Sequence, residues 1–161
     1  MRVVVQDANV LIDLQSGRII NAFFDLKWEC HTTDAVLDEI EESLDAFVKK
    51  GDLHVKHLTG DELAAIVVLR AQQPRRVSIE DCTLLDLARD LTATLLTGDA
   101  NLKHCAERIE IEVRGTLWLL DKMIEAGALT ARQAHTALSR MLKAGRRLPR
   151  AECENRLGRW S

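Results

Sequence analysis

No Cys-x-x-Cys pair occurs in the 161 residues: Cys30, Cys82, Cys105 and Cys153 lie 52, 23 and 48 positions apart. That removes the usual zinc and redox-dithiol spacings and leaves buried or incidental thiols. A chain of this length can take roughly 70% of its unfolded surface out of water in one core, so it is not a small disulfide scaffold. Proline is scarce, with two residues, and eight glycines are ordinary, which excludes collagen-like and low-complexity chains. Tyrosine is absent and the aromatic residues are Phe23, Phe24, Phe47, Trp28, Trp118 and Trp160, most of them on apolar faces. A stacking platform for single-stranded nucleic acid is therefore not evident. The longest stretch free of Asp, Glu, Lys and Arg is the eight residues from Leu91 to Gly98, against roughly 20 for a membrane helix. Val3-Val4-Val5 is far shorter than a signal-peptide core of about 7–15 residues. The expectation is a cytoplasmic protein with no membrane association. Also missing are a G-x-S-x-G elbow, a P-loop and a G-x-G-x-x-G turn, so serine hydrolase, nucleoside-triphosphatase and dinucleotide chemistries lack their parts.

What is present is an uneven charge. The chain sums to −3, yet residues 132–161 carry eight basic and two acidic residues, leaving 14 basic and 23 acidic for the rest. An acidic body with a basic end suits a cation site flanked by groups that could touch phosphates, and it also suits plain solubility. Short apolar runs at Val3–Val5, Trp28–Thr32, Leu53–Lys56, Ala93–Thr97 and Ile109–Val113 predict five strands. Between them lie helical patterns through Val10, Leu11 and Leu14; Val36, Leu37, Ile40, Leu44 and Phe47; Leu63, Ile66, Val67 and Arg70; and Leu84, Leu87, Ala88 and Leu91. Alternating strands and helices predict an α/β fold with a parallel five-stranded sheet. Beyond residue 114 come two helices, ended by Gly127 and Gly145, the second opened by a Thr130–Gln133 capping box. Pro149 keeps the last segment from continuing that helix. No repeat or long linker divides the chain.

In an open parallel sheet, ligands bind beyond the carboxyl ends of the strands. Asp7 and Asp99 stand just after strands, while Glu39 and Asp81 are placed on helices. Each has a structural reading as well. Asp7 or Asn9 could cap the helix at Val10, Asp81 closes a Ser78 capping box, Asp99 could cap the helix carrying Leu102, and Glu39 could be solvated surface. Glu62 belongs to a box with Thr59, and Asp86 lies about 140° around the helix from Asp81 and so faces elsewhere. Cys30-His31 and His104-Cys105 read as structural pairs.

Taken together, the order Asp7-Ala8-Asn9-Val10-Leu11, Glu39 within Val36-Leu37-Asp38-Glu39-Ile40, Asp81-Cys82-Thr83-Leu84-Leu85-Asp86, and Leu95-Leu96-Thr97-Gly98-Asp99 resembles the PIN-domain ribonucleases, especially the toxin-type branch related to VapC. Val113-Arg114-Gly115-Thr116-Leu117-Trp118 followed by Glu125-Ala126-Gly127 is similar to the Gly-Thr-Leu-Gly signature of one subgroup, with Trp118 where Gly is usual. Asn9 stands where the family often has Ser or Thr. The resemblance covers about residues 1–145, a PIN-like nuclease domain followed by a basic C-terminal tail, 146–161, in a helical extension.

The resemblance implies a divalent-metal-dependent ribonuclease, the toxin of a toxin–antitoxin pair, with Asp7, Glu39, Asp81 and Asp99 as catalytic and metal-binding acids and Asn9 and Thr97 as supporting polar groups. Four carboxylates without imidazole or thiolate suit Mg²⁺ or Mn²⁺. The expected partners are RNA, a cognate antitoxin protein and a second copy in a homodimer. Arg140, Lys143, Arg146, Arg147 and Arg150 are the candidate RNA phosphate contacts. Two alternatives stay open. One is a catalytically silent PIN-fold module that binds protein or RNA. The other is an aspartyl phosphohydrolase, which would start from an Asp-x-Asp where Asn9 removes the second acid.

Overall fold

The computed structural model describes residues 2–74 and 76–161. Along the chain run β1 (Val3–Gln6), α1 (Ala8–Ser16), α2 (Ile20–Phe24), β2 (Glu29–Thr33), α3 (Asp34–Leu37), α4 (Asp45–Lys49), β3 (Leu53–Lys56), α5 (Gly60–Ala71), α6 (Ile79–Leu91), β4 (Thr94–Leu96), α7 (Ala100–Arg108), β5 (Val113–Arg114), α8 (Thr116–Glu125), α9 (Ala131–Lys143) and α10 (Arg150–Trp160). Two compact units emerge, Met1–Ala8 with Trp28–Arg114, and Asn9–Lys27 with Gly115–Ser161. Among the described residues no helix is long and apolar enough to cross a membrane.

The first unit holds the sheet, which is parallel throughout in the order β3-β2-β1-β4-β5. Three successive β-branched valines make β1 a good central strand, and Val4, Val5 and Gln6 are buried, as a strand covered on both faces requires. From β1 the chain builds outward to β2 and β3, then returns to lay β4 and β5 on the other side. The carboxyl ends of β1 and β4 thus flank the point where the strand order reverses. Helix α6 packs on β1, β2 and β4, burying Cys82, Leu84, Leu85, Leu87 and Ala88.

Two elements differ from the sequence expectation. The pattern Val36 to Phe47 is not one helix: α3 ends at Leu37, Asp38 and Glu39 form a turn, and α4 starts only at Asp45. Val36 and Leu44 are buried on either side of a run rich in exposed acids, where Leu37 and Ile40 are only half-buried, so the core holds the two ends but not the segment between them. The fifth strand is also shorter than Ile109–Val113. α7 extends to Arg108 and is closed by Glu110 at φ 61, with the Ile111 amide donating to the Ala106 carbonyl at 3.0 Å, which leaves Val113–Arg114 as the strand. The capping boxes at Thr59–Glu62, Ser78–Asp81 and Thr130–Gln133 are present as expected, and Gly127 and Gly145 have the positive φ that closes a helix.

The second unit is helical. α9 buries Ala134, Ala137, Leu138 and Met141 and packs against α8 and α10. Residues after Pro149 form α10, with Cys153 and Trp160 buried. Gly17 lets α1 approach α9 closely: a Cβ there would lie 2.7 Å from the Met141 methyl and 3.2 Å from the Ala137 carbonyl, so a side chain would force Met141 to shift.

Candidate active site

The site grows from the ends of β1 and β4. The Asp7 amide donates to the Leu96 carbonyl at 2.9 Å, continuing the β1–β4 ladder one residue past the strand and fixing where its carboxylate begins. Thr97 Oγ1 donates to Asp7 Oδ2 at 2.7 Å and accepts from the Asp99 amide at 3.1 Å. One buried hydroxyl therefore ties together the two acids that follow the switch-point strands. Asp99 turns Oδ1 to the Leu102 amide at 2.9 Å and caps α7.

The other two acids are held through α6. Asp81 Oδ2 accepts from the Ser78 amide at 3.0 Å while Ser78 Oγ accepts from the Asp81 amide at 3.0 Å. Thr83 Oγ1 donates its single proton to the Glu80 carbonyl at 2.6 Å, so in the 2.8 Å contact with Thr33 it is Thr33 that donates. Thr33 also accepts from the Val36 amide at 3.3 Å, capping α3. This chain of hydroxyls joins the end of β2 to the first turn of α6. Glu39 lies in the turn after α3 rather than on a helix, its amide donating to the Val36 carbonyl at 3.1 Å.

Electrostatics shows which acids the fold gathers. Burial pushes the Asp7 carboxyl up to about 6, and the charges of Asp81 and Asp99 push the same way against the Thr97 hydrogen bond. Asp81 is raised by burial and by Asp99 and Glu80. Glu39 is exposed as a residue, yet its carboxyl is raised by desolvation and then by Asp7, Glu80 and Asp81. Asp7 and Asp81 thus feel the charge of Asp99, and Glu39 feels those of Asp7 and Asp81. Glu80 joins them as a fifth acid that the sequence reading passed over, its one signal being its place beside Asp81 in the first turn of α6. Asp86 is paired with Arg89 at 3.0 Å.

As donors the five are all carboxylate oxygens, which fits a hard cation such as Mg²⁺ or Mn²⁺ and relieves their mutual repulsion. Among the described residues, no group of three or more His, Cys, Asp or Glu stands in an arrangement that would already hold a metal ion. Asp7, Asp81 and Asp99 each give one oxygen to a hydroxyl or a backbone amide, which leaves the second oxygen of each for a cation.

The remaining predicted residues belong to the second unit. Asp13 is buried between Thr116 Oγ1, which donates to Oδ2 at 2.7 Å, and Arg146 Nε, which donates to Oδ1 at 2.6 Å. Burial raises the Asp13 carboxyl while these two partners lower it. The Arg146 guanidinium also reaches the Asn9 carbonyl and side-chain oxygens at 3.4 Å each. Arg150 pairs with Glu154 at 3.2 Å, both largely exposed. Arg140, Lys143 and Arg147 are exposed. Trp118 is half-buried, with Lys122 Nζ 5.7 Å from its ring centre. All four cysteines are buried and unpaired, and burial holds the thiols of Cys30 and Cys82 up at about 12 and about 11, which fits structural roles.

No curated protein matches the chain. A family model described as a PIN domain matches residues 3–161, through both units and the last helix. A parallel sheet with acids gathered past its switch-point strands, matched over nearly its whole length by that model, makes this chain a member of the PIN-domain family.

Proposed function

We propose that this protein is a divalent-metal-dependent ribonuclease that hydrolyses RNA phosphodiester bonds. Nuclease activity is the general business of PIN domains. The observation that carries the reading here is the electrostatic coupling of Asp7, Glu39, Asp81 and Asp99 beside the β1–β4 switch point. Bound Mg²⁺ or Mn²⁺ would supply charge against the scissile phosphate and an acidified water for attack. Asp7 and Asp99, tied through Thr97, act as the rigid pair of the site. Glu39, on a turn, and Asp81, on a helix start, complete it, with Thr97 as its supporting polar group. RNA is held by its phosphates through exposed cations of the C-terminal region, and the resemblance to VapC-like proteins makes a toxin role, with a cognate antitoxin, the reading of its biology.

The test is cleavage of a mixed-sequence RNA by the purified chain. Activity in Mg²⁺ or Mn²⁺, lost with chelator and lost in Asp99→Asn, is the expected result. A protein that binds RNA or a partner but never cuts, with any divalent ion, would establish the silent module instead.

A further inference from the structure

We propose that His31 and His54 form a second, separate metal site, of the Zn²⁺ class, at the β3 edge of the sheet. β2 and β3 are parallel, with His31 directly opposite His54 in the register, so both imidazoles leave the same face of the sheet. Their ring centres are 4.9 Å apart with the planes tilted by 33°. β3 is the outermost strand, His54 is exposed and His31 is half-buried, so the pair is open to an ion from solvent.

Glu29, two residues before His31 and on the same face of β2, lies 2.8 Å from His31 Nε2. A carboxylate in that place accepts a hydrogen bond from Nε2–H, which keeps the proton on Nε2 and leaves Nδ1 of the neutral ring as a lone pair, the relation that orients histidine ligands in metal sites. The spacing is also right. With Zn–N bonds of about 2.0–2.1 Å and ring nitrogens about 1.2 Å from the ring centre, two imidazoles on a tetrahedral ion have centres about 5.2 Å apart. The observed pair needs a few tenths of an ångström and a rotation out of its partial stack.

Since no three donor groups converge among the described residues, the protein supplies two nitrogens and solvent supplies the rest, with Glu29 as the orienting partner. Imidazole ligands select zinc, nickel and copper, whereas the carboxylates favour magnesium and manganese, so the two sites sort cations by ligand softness. The ion would stitch the edge strand to its neighbour and so stabilise the folded chain.

The experiment uses the full chain carrying Asp7→Asn and Asp99→Asn, so that the carboxylate site is disabled, stripped of metal and titrated with ZnCl₂ by calorimetry and thermal melts. One zinc per chain with a raised melting temperature is expected. Adding His54→Ala should weaken binding by more than tenfold and abolish the thermal gain, and Glu29→Gln should weaken it about tenfold. His54→Gln repeats the comparison with a polar side chain at the exposed position. The proposal is overturned if the protein with its carboxylate site disabled takes up no zinc, or if both His54 variants bind it as the parent does. Neither result bears on RNA cleavage, which is measured separately.

Discussion

At the scale of single residues, Asp7 carries an electrostatic cost. Its carboxyl titrates near 6 in the folded chain against an ordinary 3.8, so between those values the native state binds the extra proton. Stability therefore declines as pH rises from about 4 to about 6 and is level above that. Asp7→Asn removes the charge while its side-chain oxygen can still accept from Thr97. In chelator it should raise stability at pH 7.5 by up to about 3 kcal/mol, with the gain fading towards pH 4, while cleavage is abolished. Melts at pH 4, 5.5 and 7.5 check this, and a variant no more stable than its parent at pH 7.5 contradicts it. Arg146 makes the opposite case. Its guanidinium neutralises Asp13, whose side chain is 6% exposed, so Arg146→Ala should cost about 3 kcal/mol by stranding a buried carboxylate. Changing exposed Arg140, Lys143 and Arg147 to Gln should leave stability alone and flatten the salt dependence of RNA binding, by about 0.7 in the log–log slope for each phosphate no longer neutralised. An unaltered slope in that triple variant would reject phosphate gripping by these three residues.

At the scale of elements, the start of α6 does two jobs. The Ser78 hydroxyl takes the Asp81 amide, and the Asp81 carboxylate takes the Ser78 amide, so the cap that begins the helix also aims one of the acids. Ser78→Ala should cost about 1 kcal/mol, the usual worth of a cap. It should also lower cleavage with folding intact, because Asp81 is deprived of the group that holds its turn. Unchanged turnover at a lowered melting temperature would show that the cap serves the helix alone. The hydroxyl chain Thr33–Thr83 has the same double character, joining the turn that carries Glu39 to the helix that carries Asp81.

At the scale of the whole molecule, α5 is the element whose burial least matches its composition. Ile66 is buried, but Leu63, Val67 and Val68 are 39%, 52% and 58% exposed, an apolar face on an otherwise charged body. Acidic Asp61 stands at its start and basic Arg76 just beyond its end, both exposed. Two copies of α5 packed antiparallel would cover the apolar face and set opposite charges together, in keeping with the homodimer expected from the resemblance. Sedimentation should show a dimer at micromolar concentration that Val68→Glu converts to a monomer without loss of thermal stability. A parent protein that is monomeric at high micromolar concentration rules the dimer out.

The sequence alone settled what depends on a few adjacent residues. Three β-branched valines placed β1, Ser or Thr followed three residues later by an acid or amide placed the starts of α5, α6 and α9, and glycines placed the ends of α8 and α9. The acids after β1 and β4 were legible for the same reason, since a strand end and its next residues are local. Tertiary structure decided what depends on distant partners. Burial of Val36 and Leu44 at two separate points broke the expected helix and put Glu39 on a turn. Pairing with Asp13, 133 positions away in the chain, took Arg146 out of the set of free cations. The register of two parallel strands set His31 against His54, and packing against α6 buried Ile66 of α5 while leaving Leu63, Val67 and Val68 exposed. Periodicity along a chain says which residues share a face, but which face is covered, and by what, is determined by packing between segments far apart in sequence.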